Sequence, residues 1–167
     1  MGAADEIVVI VDEQNNVVGA APRHEMRAKR LAHRSTYILV FNSRGQLHVQ
    51  KRTLTKDVFP GYYDVAAGGV VLAGETYEQG AARELEEEMG IRGVPLNRLF
   101  DFYFENEDTR LWGCTFSCVY DGTVVLQEEE VESGAFVGVD DILHRAETEP
   151  FTPDGMYVLW RYLHRTG

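Results

Sequence analysis

The chain has 167 residues, 44% of them hydrophobic and 26% charged, enough to bury a sizeable core, and no apolar run approaches the roughly 20 residues of a membrane span. A net charge of −11 argues against a generic nucleic-acid-binding surface, because phosphate backbones are held by clustered Lys and Arg. Small anionic substrates stay open if a metal and a few basic side chains offset the charge locally. The first six residues are small and acidic and lack the basic-then-apolar pattern of a secretory signal, so one cytoplasmic domain over residues 1–167 is expected.

Residues 6–11 and 17–21 are apolar runs around Asp12-Glu13-Gln14-Asn15-Asn16, which predicts a hairpin. Its edge offers a place for a second subunit to pair, so a homodimer is an option. Pro22 opens a short basic helix to about Arg30. A strand over 35–42, a turn at Ser43-Arg44-Gly45 and a strand over 46–52 follow. His33-Arg34 and Gln50-Lys51-Arg52 are strand-end basic groups, either solvated or turned toward an anion.

Residues 69–75 combine glycines with β-branched side chains, which predicts a strand and loop, and 77–89 are rich in Ala, Leu, Glu and Met, which predicts a helix. Thr76 followed by Gln79 is a capping-box start, and Gly90 is a stop. At about 100° per residue, Ala81, Leu85 and Met89 form a core-facing stripe. Glu84 and Glu88 lie one turn apart beside it, with Glu87 on the outer side, whereas Glu78 and Glu86 belong to a solvated face. Like charges at this spacing oppose the helix, and Glu88, against the apolar stripe, should have a raised pKa unless a cation stabilises its charge. Magnesium, a hard cation that takes a few carboxylates plus substrate phosphates, fits such a set, and oxygen ligands accept manganese too.

The stretch from Gly69 to Ile91 resembles the Nudix box at every defined position: a glycine, five residues, Glu75, seven residues, then Arg83-Glu84-Leu85-Glu86-Glu87-Glu88-Met89-Gly90-Ile91. The resemblance implies a metal-dependent hydrolase of diphosphate linkages, usually in nucleoside diphosphate derivatives. It also implies that Glu84, Glu87 and Glu88 are metal ligands, with the Gly69 carbonyl a further one, and that Glu75 pairs with Arg83 to fix the loop on the helix. Residues 31–64, from Leu31-Ala32-His33-Arg34 to Phe59-Pro60-Gly61-Tyr62-Tyr63-Asp64, are similar to isopentenyl-diphosphate isomerases of the same superfamily, which links His33 to metal and makes His33, Arg34 and Arg52 substrate contacts. The isomerase cysteine and histidine are missing from Ala66-Ala67-Gly68-Gly69, and its acidic pair from Arg110-Leu111-Trp112. These departures favour hydrolysis over the alternatives, an isomerase or a non-catalytic nucleotide sensor.

After the box, residues 99–105 and 109–119 predict a second hairpin. Its Tyr103, Phe104 and Trp112 either stack on a substrate or fill the sheet core, and Cys114 and Cys118 read as small core residues rather than a disulfide or metal pair. Gln127-Glu128-Glu129-Glu130-Val131-Glu132 is a charged loop before a strand over 134–139. In similar proteins the Glu just before the Val can swing to the metal, so Glu130 joins Glu87 as a candidate general base, with Glu88 the third carboxylate of the catalytic set. Helices over 139–146 and 153–164 close the chain, the second with Thr152 as cap and Pro153 at its first turn. The expected architecture is an α/β/α sandwich with a mixed sheet, the box helix on one face and the last helix on the other, and the strand order rests on the resemblance.

Overall fold

The computed structural model describes residues 3–56 and 58–165. A hairpin of β1 (Ile7–Val11) and β2 (Val17–Pro22) leads into helix α1 (Arg23–Ala28), then β3 (Ala32–Phe41), β4 (Leu47–Arg52) and the two-residue β5 (Tyr63–Asp64). Helix α2 (Tyr77–Met89) precedes β6 (Asn97–Glu105), β7 (Arg110–Val119) and β8 (Val131–Val137), and α3 (Val139–Arg145) and α4 (Pro153–Leu163) end the fold. Among the described residues the strands form one mixed sheet: β3 runs parallel to β7 along its whole length, and the other ladders are antiparallel.

Strand β3 shows no polar–apolar alternation from Tyr37 to Val40 because both of its faces are covered. Ile38 and Val40 pack beneath α2 with Ala81, Leu85, Met89, Cys114 and Cys118, while Tyr37 and Leu39 pack on the other face with Ile142, Val158 and Leu159 of α3 and α4. The molecule is thus an α/β/α sandwich, with both cysteines free and buried under α2.

Residues 69–75 do not form the expected strand. Gly68, at φ 129°, turns the chain, and the segment then laces two sheet edges together: Thr36 N–H donates to the Gly69 carbonyl, Val71 N–H to the Arg34 carbonyl and Ala73 N–H to the Ile7 carbonyl. Bonding that switches from β3 to β1 within five residues cannot sustain a ladder. Helix α1 likewise stops at Ala28, two residues before Arg30, which lies at φ 52°; Leu31 N–H donates to the Met26 carbonyl and closes the turn. Strand β3 starts three residues earlier than expected because β7 supplies partners back to Ala32.

Candidate active site

Helix α2 begins with a complete capping box: Gln79 N–H donates to Thr76 Oγ1, and Thr76 N–H donates to Gln79 Oε1. It ends on Gly90 in the left-handed region, φ 67°. The loop before it is tied down by Arg83, whose Nε and Nη2 donate to the two oxygens of Glu75 at 2.7 and 3.0 Å. Glu75 in turn accepts the Leu72 N–H at 2.9 Å, and Arg83 Nη2 reaches the Val70 carbonyl at 3.3 Å. Burial works against the Glu75 charge, but the bonds from Arg83 and Leu72 hold its carboxyl below the usual range. The two-pronged geometry needs a guanidinium.

One cavity of about 1050 Å3 opens beside this helix and is lined by Gly69, Glu84, Glu87 and Glu88 together with His33, Arg52 and Glu130. Glu88 is pushed up to about 8, first by desolvation and then by the charge of Glu84, against the opposing effect of the Gly68 N–H that it accepts at 2.6 Å. Glu84 is also raised by desolvation, partly offset by Arg83, which donates to it at 2.9 Å. Glu87 is half exposed and meets Arg83 at 3.3 Å. Among the described residues no three carboxylates or imidazoles converge at coordinating distance.

The donor set nonetheless fits a hard divalent cation. Glu84 and Glu88 are desolvated side by side with only oxygen donors, which is costly without a compensating positive charge. A Cβ at position 69 would meet Glu84 Oε1 at 2.8 Å, so the backbone lies close against this carboxylate and a larger residue would make it shift. The Gly69 carbonyl faces Thr36, accepting its N–H at 2.9 Å and its hydroxyl at 3.3 Å.

The other expected contacts divide between two faces of the sheet. His33 is buried in the cavity wall; desolvation, and then the nearby Arg23 and Arg27, outweigh its bond to the Leu31 carbonyl and bring its pKa down to about 4, so the ring is neutral. Arg52 donates from Nε and Nη2 to the Val58 carbonyl. Glu130 pairs with Lys56, and both line the cavity. Arg34, Tyr103 and Trp112 do not line this cavity. They are lateral neighbours on β3, β6 and β7 and face α2 instead: Arg34 bonds Asn15 and lies over Tyr77, and Tyr103 packs on Trp112. One residue along each strand, Phe104 and Leu111 face the cavity.

Lys56, Asp64 and Asp154 line the cavity without having figured in the sequence-derived site. Lys56 is lowered to about 8 by desolvation and by Arg52 and Arg23. Asp64 is raised to about 7 by desolvation and by Asp154, and Asp154 accepts the Tyr37 hydroxyl at 2.8 Å. Behind the cavity, buried Gln50 donates to Glu88 Oε1 at 3.4 Å while its own Oε1 has no partner among the described residues. Asp64 lies within the stretch similar to the isomerases, which was its one signal; Asp154 reaches the site only through the packing of α4.

The NUDIX domain matches residues 31–156. A Nudix hydrolase of Pseudomonas aeruginosa, itself uncharacterised, is 47% identical over 95% of this chain and 94% of its own. The Nudix hydrolase YfcD of Escherichia coli, also uncharacterised, is 45% identical over 98% of this chain and 89% of its own. The crystal structure of DR0079 from Deinococcus radiodurans superposes with a TM-score of 0.81 at 27% identity, over 96% of this chain and all of that one. With an intact box folded against a carboxylate-lined cavity, the chain belongs to the NUDIX domain family and is a Nudix hydrolase.

Proposed function

We propose that the chain is a single catalytic domain that cleaves a diphosphate linkage, in a nucleoside diphosphate derivative, with a divalent cation held by Glu84, Glu87 and Glu88, which the Gly69 carbonyl joins by giving up its bond from the Thr36 hydroxyl. The observation that carries this is the burial of Glu84 and Glu88 together at the cavity wall, both with raised proton affinity, close against the Gly69 backbone. Magnesium suits the donor set, with manganese as a substitute. Bound there, the cation would supply Lewis acidity, offsetting phosphoryl charge and making water more acidic.

The protein's own groups do the rest. Arg83 orients Glu84, and the Gly68 N–H orients Glu88. His33 donates from Nδ1 to the Leu31 carbonyl, which leaves Nε2 as an acceptor for a substrate donor. Arg52 has Nη1 left for a phosphate oxygen. Glu87 and Glu130 both line the cavity, and either is a candidate to take the proton of the attacking water. We keep the enzyme cytoplasmic and allow it to dimerise through the exposed edge of β2, which light scattering would measure.

Glu84→Gln and Glu88→Gln should abolish turnover of the cleaved substrate with the far-UV spectrum intact; normal rates in either variant would remove that residue from the ligand set. Between Glu87→Gln and Glu130→Gln, the one that lowers kcat by about a hundredfold or more while manganese affinity is retained identifies the base. A variant that loses both kcat and metal affinity identifies a ligand.

A further inference from the structure

The turn Phe59-Pro60-Gly61-Tyr62 puts two rings on the cavity wall. Pro60 and Gly61, the latter at φ 75°, take the central positions of a type II turn, which Tyr62 N–H closes onto the Phe59 carbonyl at 3.2 Å. The turn brings the Phe59 and Tyr62 rings to 5.1 Å between centroids. It is fastened on both sides: Arg52 N–H donates to the Tyr62 carbonyl at 2.8 Å, Gly61 N–H to the Thr53 carbonyl at 3.2 Å, and the Arg52 guanidinium holds the Val58 carbonyl. The pair is thus fixed in place before any ligand arrives, which lowers the cost of binding one.

Core packing does not account for these rings. Phe59 sits at φ 49°, in the left-handed region that a bulky side chain adopts rarely and at a cost. Among the described residues neither ring joins the hydrophobic clusters of the sheet, and both are only half-buried. A strained aromatic held away from the core and turned to the cavity fits a side chain whose partner is a ligand.

The surroundings narrow down that ligand. Asp64, two residues beyond Tyr62, and Asp154 line the same cavity. A nucleobase would lay its π face on the rings and bring N–H donors toward these carboxylates, whereas a prenyl chain would desolvate them and donate nothing. Arg52, to which the hydrolase proposal gives a phosphate oxygen, is bonded to the residue next to Phe59, so base and diphosphate have adjoining places. We infer that Phe59 and Tyr62 form the stacking platform for the nucleobase of the substrate. This rests on the hydrolase proposal above and places the nucleoside within its cavity.

The test measures, with magnesium, the kcat/KM preference for the common ribonucleoside triphosphates over inorganic tripolyphosphate, which has no base, in the wild type, Phe59→Leu, Phe59→Tyr and Tyr62→Leu. The wild type should prefer a nucleotide. Each Leu variant should lose on the order of tenfold of that preference, chiefly through KM, and Phe59→Tyr should keep it. Phe59→Gly, which the left-handed backbone favours, should melt within about 3 °C of the wild type and still lose the preference; a much lower melting temperature would make the ring a packing element and overturn the inference. No preference in the wild type, or one that survives Phe59→Leu, overturns it as well. So does geranyl diphosphate cleaved ahead of every nucleotide, in the wild type and Phe59→Leu alike, which would give the wall to a prenyl chain. If nothing is cleaved, the hydrolase proposal fails separately and calorimetry with the same compounds decides the platform. A nucleoside triphosphate should then bind the wild type on the order of tenfold more tightly than tripolyphosphate does, and equal binding overturns the platform.

Discussion

Glu88 has two roles that pull in opposite directions, and pH separates them. Its carboxyl is held up to about 8 in the folded protein, against an ordinary 4.5. Between those values the folded state binds the extra proton, so metal-free stability should fall as pH rises from about 5 to 8. Asp64, raised to about 7, adds to the same slope. His33 and His48, both lowered to about 4 by burial, act the other way: their contribution is lost as pH falls below about 6.5. Metal-free Glu88→Gln should therefore melt about 5 °C above the wild type at pH 8 and close to it at pH 5. Equal melting temperatures at pH 8 would mean that the carboxyl is not desolvated. A second residue-scale expectation concerns Arg83→Lys, which keeps the charge and loses the fork onto Glu75. It should cost about 1–2 kcal/mol in chemical denaturation, and a cost near zero would show that the loop is held by its backbone bonds alone.

At the scale of elements, local signals were legible and pairing was not. The bounds of α2 follow from Thr76, Gln79 and Gly90, all adjacent to the helix they delimit, and the Glu84–Glu87–Glu88 edge follows from helical spacing alone. Thr76→Ala should accordingly cost about 1 kcal/mol, read from a urea titration. The face taken by Arg34, Tyr103 and Trp112 depends instead on the register of β3 against β7 and of β7 against β6. Moving one residue along a strand exchanges Trp112 for Leu111 at the cavity, and nothing near Trp112 in sequence encodes that register. The box loop is a similar case. Its glycines and valines read as a strand, but a Cβ at Gly68 would meet the Thr36 carbonyl oxygen at 2.1 Å, a constraint visible only once β3 lies beside it. Gly68→Ala should displace the Glu88 anchor and destabilise the fold by about 3 kcal/mol or more; a soluble, fully active variant would contradict this packing.

For the whole molecule, the sheet brings together what the chain keeps apart. Glu84 and Glu88 come from α2, Glu130 and Lys56 from two loops, His33 from β3 and Asp154 from α4, and all meet around one cavity. The box could be read because it is a contiguous motif, and the sandwich and its strand order followed from the resemblance that the box carries. The rest of the cavity wall could not, because Lys56, Asp64 and Asp154 lie up to 98 residues apart and only tertiary packing gathers them. The account as a whole is tested most directly by phosphorus NMR of a panel of nucleoside diphosphate sugars, dinucleotides, coenzyme A, nucleoside triphosphates and prenyl diphosphates, run in 18O-labelled water with magnesium and with chelator. It predicts cleavage between two phosphorus atoms of one substrate class, a single solvent oxygen on one product phosphate, and silence with chelator. A prenyl diphosphate isomerised without phosphate release, or no cleavage anywhere although calorimetry shows metal bound, would contradict it.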